Sequence, residues 1–521
     1  MGIIKIFDTL SKTEKDPVSK GTAKIYVCGV TVYDDAHIGH ARTIVVFDTL
    51  RRFIESKDVK VDFIQNFTDV DDKIIKKADE TGSTAELVSR KYIERYFVDF
   101  DKLNIKRATE HPKATEHIPD MQNLISDLIA KGHAYEKKDG VYFSVRSLPA
   151  RRTATNGYFT RYGRMSGKKI EEMISGLIRT KKRKLAELKK KWDDKRSFSI
   201  IKSNDPEFKN DQEDIDELNQ QIKLEGVQKE DILDFALWKF SDSKPSWDSP
   251  WGSGRPGWHI ECSAMSIKYL GESFDIHGGG RDLIFPHHEN EIAQSESFTG
   301  KPFARIWMHA GMITINGEKM SKSIGNVKTL SHVLENWGPN IIRLFCLSGH
   351  YSKPIDYTEE LLKENLIKWR QLETCYYELR LADSTNGSEN IEDGILNSRQ
   401  RFDNALENDF NTSLALTEFF NMIKIINGLA AERKITENIA NTVMPIVEYM
   451  LDVLGLNVIK ATNDEIKSVF DLIQKREAYR KNKQFEEADT VRNTISAMGI
   501  YLIDHKDRTL WMKKEKIKAD A

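Results

Sequence analysis

The stretch KIYVCGVTVYDDAHIGHARTIVVFDTLRRFIES, residues 24–56, decides the fold class. KIYVCGV (24–30) is rich in β-branched and aromatic residues, as is VDFIQNF (61–67), and each reads as a buried strand. Between them the chain has helical spacing from about Ala41, with Ile44, Phe47, Leu50 and Ile54 able to share one face. Strand, helix, strand at this length is a βαβ unit, the start of a parallel α/β sheet. Ligands of such sheets sit beyond the carboxyl ends of the strands, where residues 28–40 fall. HIGH (37–40) lies at that point. Gly39 permits close backbone approach, the helix N-terminus favours an anion, and two imidazoles there could donate to phosphate oxygens.

Composition bounds the rest. At 521 residues the chain exceeds one core, so three or more domains are expected. Hydrophobic residues are 39% and charged residues 31%, a globular balance. Lys plus Arg number 79 against 80 for Asp plus Glu, and this neutrality neither supports nor excludes nucleic acid, because clustering decides such binding. MGIIKIFDTLSK has no apolar run of signal-peptide length, and no run approaches a membrane span. Cys28, Cys262, Cys346 and Cys375 are scattered, which argues for a reducing, cytoplasmic setting rather than a disulfide framework.

Along the chain, HAYEKKDGVYFSV reads as a hairpin around KKDG. A strongly basic segment and then a strongly acidic one, together about 177–228, suggest a solvated helical hairpin. IHGGGRD (276–282) reads as a Gly-rich turn, without the spacing of a dinucleotide fingerprint. From about 358 to 456 the pattern is that of a helical bundle, followed by one charged helix over REAYRKNKQFEEADTVRNTISAM, a stop at Gly499 and two short strands. The expected division is 1–125 and 231–315 for the two halves of the sheet domain and 126–230 for an insertion between them. A loop region (316–360), the bundle (361–460) and a small C-terminal mixed α/β domain (461–521) follow.

Two further motifs carry chemistry. GEKMSKSIGN (317–326) sets Lys319 and Lys322 three apart in a Gly/Ser-flanked loop, and two mobile ammonium groups suit a leaving pyrophosphate. GWHIECSAM supplies Cys262, and FPHHENEIAQ supplies His287, His288, Glu289 and Glu291. If 287–297 is helical, His287 and Glu291 share a face at i, i+4, and with Cys28 and Cys262 they make an acceptable zinc set. The spacing also allows His288 with Glu291.

Taken together, these motifs resemble the cysteinyl-tRNA synthetases, a family of class I aminoacyl-tRNA synthetases. The resemblance includes YVCGVTVYD, NFTDVDDKIIK, GRPGWHIECSAM, FDIHGGGRDLIFPHHENEIAQ, WMHAGMI, LSGHY, NDFNT and EADTVRN, in order over nearly the whole chain. Residues 177–228 depart from it, the family pattern being shorter there. The resemblance implies a Rossmann-type catalytic domain that activates L-cysteine with Mg²⁺-ATP and charges the 3′ adenosine of tRNA(Cys). It implies His37, Gly39, His40 and Lys322 at ATP, with Lys319 and Lys322 on the leaving pyrophosphate. Cys28, Cys262, His287 and Glu291 would hold one zinc ion per subunit, and Thr68, Trp258 and His277 would contact the cysteine. Arg508, Trp511 and Lys513 form a basic cluster with one aromatic, suited to stacking an unpaired anticodon base. A cytoplasmic monomer without membrane attachment is expected. The alternatives are a cysteine ligase acting on an amino sugar, a non-catalytic RNA-binding relative, and a zinc hydrolase built on HHENE. About 160 residues after the catalytic part, and intact HIGH and KMSKS motifs, weigh against them.

Overall fold

The computed structural model describes residues 4–18, 21–148, 162–174, 229–320, 325–382, 391, 393–504, 508–514 and 517–520. The charged segment 177–228 and Lys322 therefore lie outside the described residues. At the centre is a four-stranded parallel sheet. Its elements, in chain order, are β1 (Thr22–Thr31), α1 (Ile38–Glu55), β2 (Lys60–Thr68), α2 (Trp258–Leu270), β3 (Phe274–Gly280), α3 (His287–Thr299) and β4 (Ala304–Ala310). The spatial order is β4-β3-β1-β2, all parallel. From β1 the chain moves one way to β2, and β3 enters on the other side, so the boundary between β1 and β3 is a topological switch point.

The helix after β1 begins at Ile38 rather than near Ala41, because His37 serves as its N-cap. Ile44, Phe47, Leu50 and Ile54 are all buried, and so are Ala41, Val45 and Val46 on the other faces. With Arg42, Asp48 and Arg52 buried as well, the helix is covered on all sides. Here the sheet lies beneath α1, and α4 (Leu330–Leu347) and the bundle lie above it. Arg343 of α4 ties these layers together. Its guanidinium donates to Asp48 Oδ2 (2.7 Å) on α1 and to the carbonyls of Leu454 (2.8 Å) and Leu103 (3.1 Å).

GGG (278–280) is not a turn but the carboxyl end of β3, followed by a single 3₁₀ turn over Arg281–Ile284. A Cβ on Gly278 would lie 2.3 Å from the Phe47 ring, and one on Gly279 would lie 2.9 Å from His288. Glycine at these two places lets a helix core and an imidazole sit directly on the strand backbone.

The hairpin around KKDG forms, Ala134–Lys137 pairing with Gly140–Phe143. Its sheet continues with Phe235–Phe240 and Gly254–Pro256, all antiparallel, so the connective sheet crosses the boundary expected at residue 230. The bundle comprises Glu359–Arg380, Ser398–Glu407, Thr412–Ala431 and Glu437–Leu454 with a short turn of helix between the first two. Thr412–Ala431 is long and apolar enough, at a mean hydropathy of 1.2, to pass for a membrane span by length and composition alone. Its Ala415, Leu416, Phe419, Met422, Ile423 and Ile426 are buried in the bundle core. The single charged helix expected near the C-terminus is two, Asn463–Lys481 and Phe485–Ala497, broken where Lys483 adopts a positive φ of 61°. The strands Ile500–Asp504 and Thr509–Lys513 then pair as an antiparallel hairpin.

Candidate active site and metal centre

The site is built where β1 ends. Pairing of β1 with β2 slips between Val27 and Val30, so the ladder is irregular at Cys28 and Gly29. Such a bulge re-aims side chains. Gly29 N–H donates to Asn66 Oδ1 (2.9 Å), and a Cβ at Gly29 would fall 1.6 Å from the Asn66 carbonyl oxygen, so only glycine permits this approach. Cys28 is thereby turned toward the switch point.

There it meets Cys262 from α2 and His287 and Glu291 from α3. Their ligand atoms all lie within 4.8 Å of one another, and all four residues are buried. Cys28 Sγ is 3.8 Å from Cys262 Sγ and 3.5 Å from Glu291 Oε1, and His287 Nε2 is 3.0 Å from the same oxygen. Two zinc–sulfur bonds of about 2.3 Å at a tetrahedral angle set their sulfurs about 3.8 Å apart, so the pair has the spacing a zinc ion requires. The expected i, i+4 face of α3 is present. A second grouping shares Cys28 and Glu291 and adds His277 and His288, at 3.4 and 3.3 Å from Cys28 Sγ.

The protonation pattern suits a cation. Donation from Cys28, opposed by burial and assisted by His287, draws the Cys262 thiol down to about 6. Burial and the neighbouring Cys262 charge push the Cys28 thiol up. Burial alone would raise the Glu291 carboxyl, but His277 and His287 beside it hold it well below its ordinary range. Against burial, Glu291 and Cys262 lift His287 to about 10. The thiol proton of Cys28 and the extra proton of His287 are those a divalent cation would displace.

Sequence reasoning missed the support around this group. His259 Nδ1 lies 2.9 Å from His287 Nδ1. Burial, with His287 nearby, keeps His259 well below its ordinary pKa, so neutral His259 accepts the His287 Nδ1–H and aims Nε2 at the cluster. Its position three residues before Cys262, on the same helical face, was the available signal. His288 continues through His309 Nε2 (2.8 Å) to Thr9 Oγ1 (2.8 Å from His309 Nδ1).

The residues expected to contact cysteine surround the cluster. His277 is fully buried and stacks on Trp307 at 4.4 Å. Trp258, 38% exposed, stacks on His287 at 4.2 Å. Thr68 Oγ1 donates to Oε2 of the buried Glu261 carboxyl group at 2.8 Å. Asn66 Nδ2 and His277 Nδ1 are buried without a hydrogen-bond partner among the described residues, and a bound molecule would satisfy them.

In HIGH the two imidazoles stack at 3.6 Å. Each Nδ1 accepts from the other residue's backbone N–H at 3.3 Å, a capping box that leaves the ring proton on Nε2 of both His37 and His40. A Cβ on Gly39 would lie 2.9 Å from Met320 Cε, so the methionine of KMSKS packs against HIGH itself. Lys319 ends the short strand Glu318–Lys319.

The residues of the C-terminal cluster make contacts within the chain. Arg508 is paired with Glu378 (2.7 Å) and Lys513 with Glu465 (2.6 Å). Trp511 is 4% exposed and packs on Tyr377. These three residues fasten the terminal hairpin to the helices. Trp511 is core, since its apolar ring gains more from burial than from solvent.

Comparison with known proteins agrees with this architecture. Residues 14–211 and 167–366 match the family described as tRNA synthetases class I (C) catalytic domain, and residues 401–458 match the DALR domain. Mycobacterium tuberculosis methionyl-tRNA synthetase, solved with methionyl-adenylate, shares the fold at TM-score 0.54 and 16% identity, over 82% of this chain and 90% of that one. An Agrobacterium radiobacter K84 LeuRS solved with tRNA and LeuAMS does so at TM-score 0.54 and 12% identity, over 84% and 85%. Parallel sheet, HIGH at the helix start and KMSKS beyond the last strand of that sheet define a class I tRNA synthetase. The chain is 39% identical to the cysteine--tRNA ligase of Caldicellulosiruptor saccharolyticus, over 99% of this chain and all of the relative. It is 40% identical to that of Carboxydothermus hydrogenoformans, over 98% and all of the relative. It belongs to the cysteine--tRNA ligase family, and is an enzyme of the ligase class.

Proposed function

We propose that this ligase activates L-cysteine with Mg²⁺-ATP and transfers it to the 3′-terminal adenosine of tRNA(Cys). The carrying observation is the buried Cys28–Cys262–His287–Glu291 cluster at the switch point, with Cys28 on the strand that leads into HIGH. In the first step the cysteine carboxylate attacks the α-phosphorus, the α–β bond breaks and pyrophosphate leaves. In the second, a ribose hydroxyl attacks the acyl carbon and AMP leaves. A carboxylate needs no activating base, so the chain's task is positioning and charge stabilisation. His37 and His40 donate Nε2–H to phosphate oxygens as negative charge develops, beside Gly39 and the helix N-terminus. Lys319 and Lys322 neutralise the departing pyrophosphate.

Cys28, Cys262, His287 and Glu291 would hold zinc, with His259 orienting His287. Bound there, zinc supplies a soft acceptor for the substrate thiolate, which a serine hydroxyl cannot match. Shape alone separates such near-isosteres by only a few kcal/mol at best. His277, Trp258 and Thr68 line the cysteine pocket. The four buried, unpaired cysteines support work in a reducing compartment.

The test is charging of unfractionated tRNA with labelled cysteine, with and without a strong zinc chelator. Cysteine-specific charging abolished by the chelator is the expected result. Adenylate formation without charging would favour a small-molecule acceptor, and no activation would refute the reading.

A further inference from the structure

We infer that Asp356 and Arg42 are positioning residues for amino-acid activation: together they hold the strand hairpin ending at Lys319 against the helix that begins at His37. The inference rests on the activation reading above, in which Lys319 and the two histidines act on one triphosphate.

After β4, the strands β5 (Ile313–Ile315) and β6 (Glu318–Lys319) turn at Asn316 and Gly317, both with positive φ (50° and 80°). With pairing at only Thr314–Lys319 and Ile315–Glu318, such a hairpin is marginal by itself. Asp356, on β7 (Ile355–Tyr357), staples it. Its Oδ1 accepts from Thr314 Oγ1 (2.7 Å) and from Gly317 N–H (2.8 Å), with Oδ2 3.0 Å from the same nitrogen.

The loop leading into β7 is held in turn by Arg42, two residues after His40. Arg42 Nη2 donates to the carbonyls of His350 (3.2 Å) and Lys353 (2.5 Å) and lies 3.5 Å from that of Tyr351. The same loop is locked to the end of the central sheet: Gly311 N–H donates to the Tyr351 carbonyl (2.7 Å), and Ile355 N–H to that of Met312 (3.1 Å). On the far side of KMSKS the backbone bonds to the HIGH segment directly, Ile38 N–H to Lys328 O (3.1 Å) and Leu330 N–H to Ala36 O (2.7 Å). The downstream stem of the KMSKS segment is thus tied to HIGH by backbone. The upstream stem is tied through the parallel ladder of β5 on β7, to which Asp356 adds its side-chain bonds and Arg42 its hold on the preceding loop.

Arg42 is fully buried, yet its Nε and Nη1 have no hydrogen-bond partner among the described residues. Burying a guanidinium so incompletely paired is costly, and an apolar side chain would fill the same helix face more favourably. Core stability therefore does not account for Arg42. Its hold on the 350–353 carbonyls does.

The experiment is cysteine-dependent ATP–pyrophosphate exchange on Asp356→Ala and Asp356→Asn, with zinc content and thermal midpoint measured on the same preparations. Asp356 is only half-buried, so both variants are expected to fold. Misplacing the hairpin should lower the exchange kcat of the alanine variant about 10- to 100-fold, with the cysteine KM within about twofold and zinc unchanged. Asparagine keeps the Oδ1 acceptor and should recover most of the rate. Wild-type kcat in Asp356→Ala, equal losses in the two variants, or a loss expressed only in cysteine KM would overturn the inference. Absence of exchange in the wild-type enzyme would instead overturn the activation reading, and this inference with it.

Discussion

Replacing His259 by leucine tests the metal centre without touching a ligand. In the native site the buried His287 Nδ1–H donates to His259 Nδ1 at 2.9 Å, which leaves Nε2 directed at Cys28, Cys262 and Glu291. Leucine fills the volume but accepts nothing, so that N–H is stranded in a fully buried position. An unsatisfied buried donor costs about 1–3 kcal/mol. The alternative tautomer escapes that cost only by withdrawing Nε2 from the ion. Through the affinity relation, 1–3 kcal/mol is a loss of about 5- to 150-fold in zinc affinity, in line with the 10- to 100-fold typical of removing a ligand's orienting partner. A competition titration against a chromophoric chelator would measure it, with circular dichroism confirming that the variant is folded. Zinc affinity within about twofold of wild type, in a folded His259→Leu protein, would refute the orientation argument and favour the His277–His288 grouping.

Cys28→Ser should lower zinc content and cysteine activation together while leaving the fold largely intact, measured by metal analysis and pyrophosphate exchange; wild-type zinc and cysteine affinity would exclude Cys28 as a ligand. His40→Ala should slow activation by about 10²- to 10³-fold while leaving cysteine binding nearly unchanged, because the charge it meets develops in the transition state; single-turnover kinetics separate the two. Asp504 is held down to about 2, chiefly by the paired Arg476 hydrogen bonds at 2.7 Å. A carboxyl lowered on folding stabilises above its ordinary 3.8, and that contribution is lost as pH falls through about 2. Since Asp504 is about one-third exposed, screening reduces the contribution to about 1 kcal/mol. Hydrogen exchange of the C-terminal hairpin should show Asp504→Asn weakened by that amount at pH 7, with the gap to wild type closing as pH falls through about 2.

What residues 24–68 determine by themselves is local. Alternating β-branched strands around a helical period specify a βαβ unit whichever partners it finds, and HIGH at the strand-to-helix junction follows from that. The i, i+4 relation of His287 and Glu291 is equally local, since helix geometry alone sets it. The bundle was legible for the same reason.

Tertiary structure alone decided which distant groups meet. Cys28 and Cys262 are 234 residues apart in the chain, and they touch because β3 enters the sheet beside β1 rather than beyond β2. No periodicity encodes a strand's neighbour across that distance. The glycines of GGG look like a turn in isolation, and become strand once Phe47 and His288 need the space of a missing side chain. Arg508, Trp511 and Lys513 read in the sequence as a basic cluster with one aromatic, and only the fold shows that Glu378, Tyr377 and Glu465 stand opposite them. A side chain's identity fixes what it can bond to. Only the packing decides whether water, a ligand or another part of the chain takes the bond.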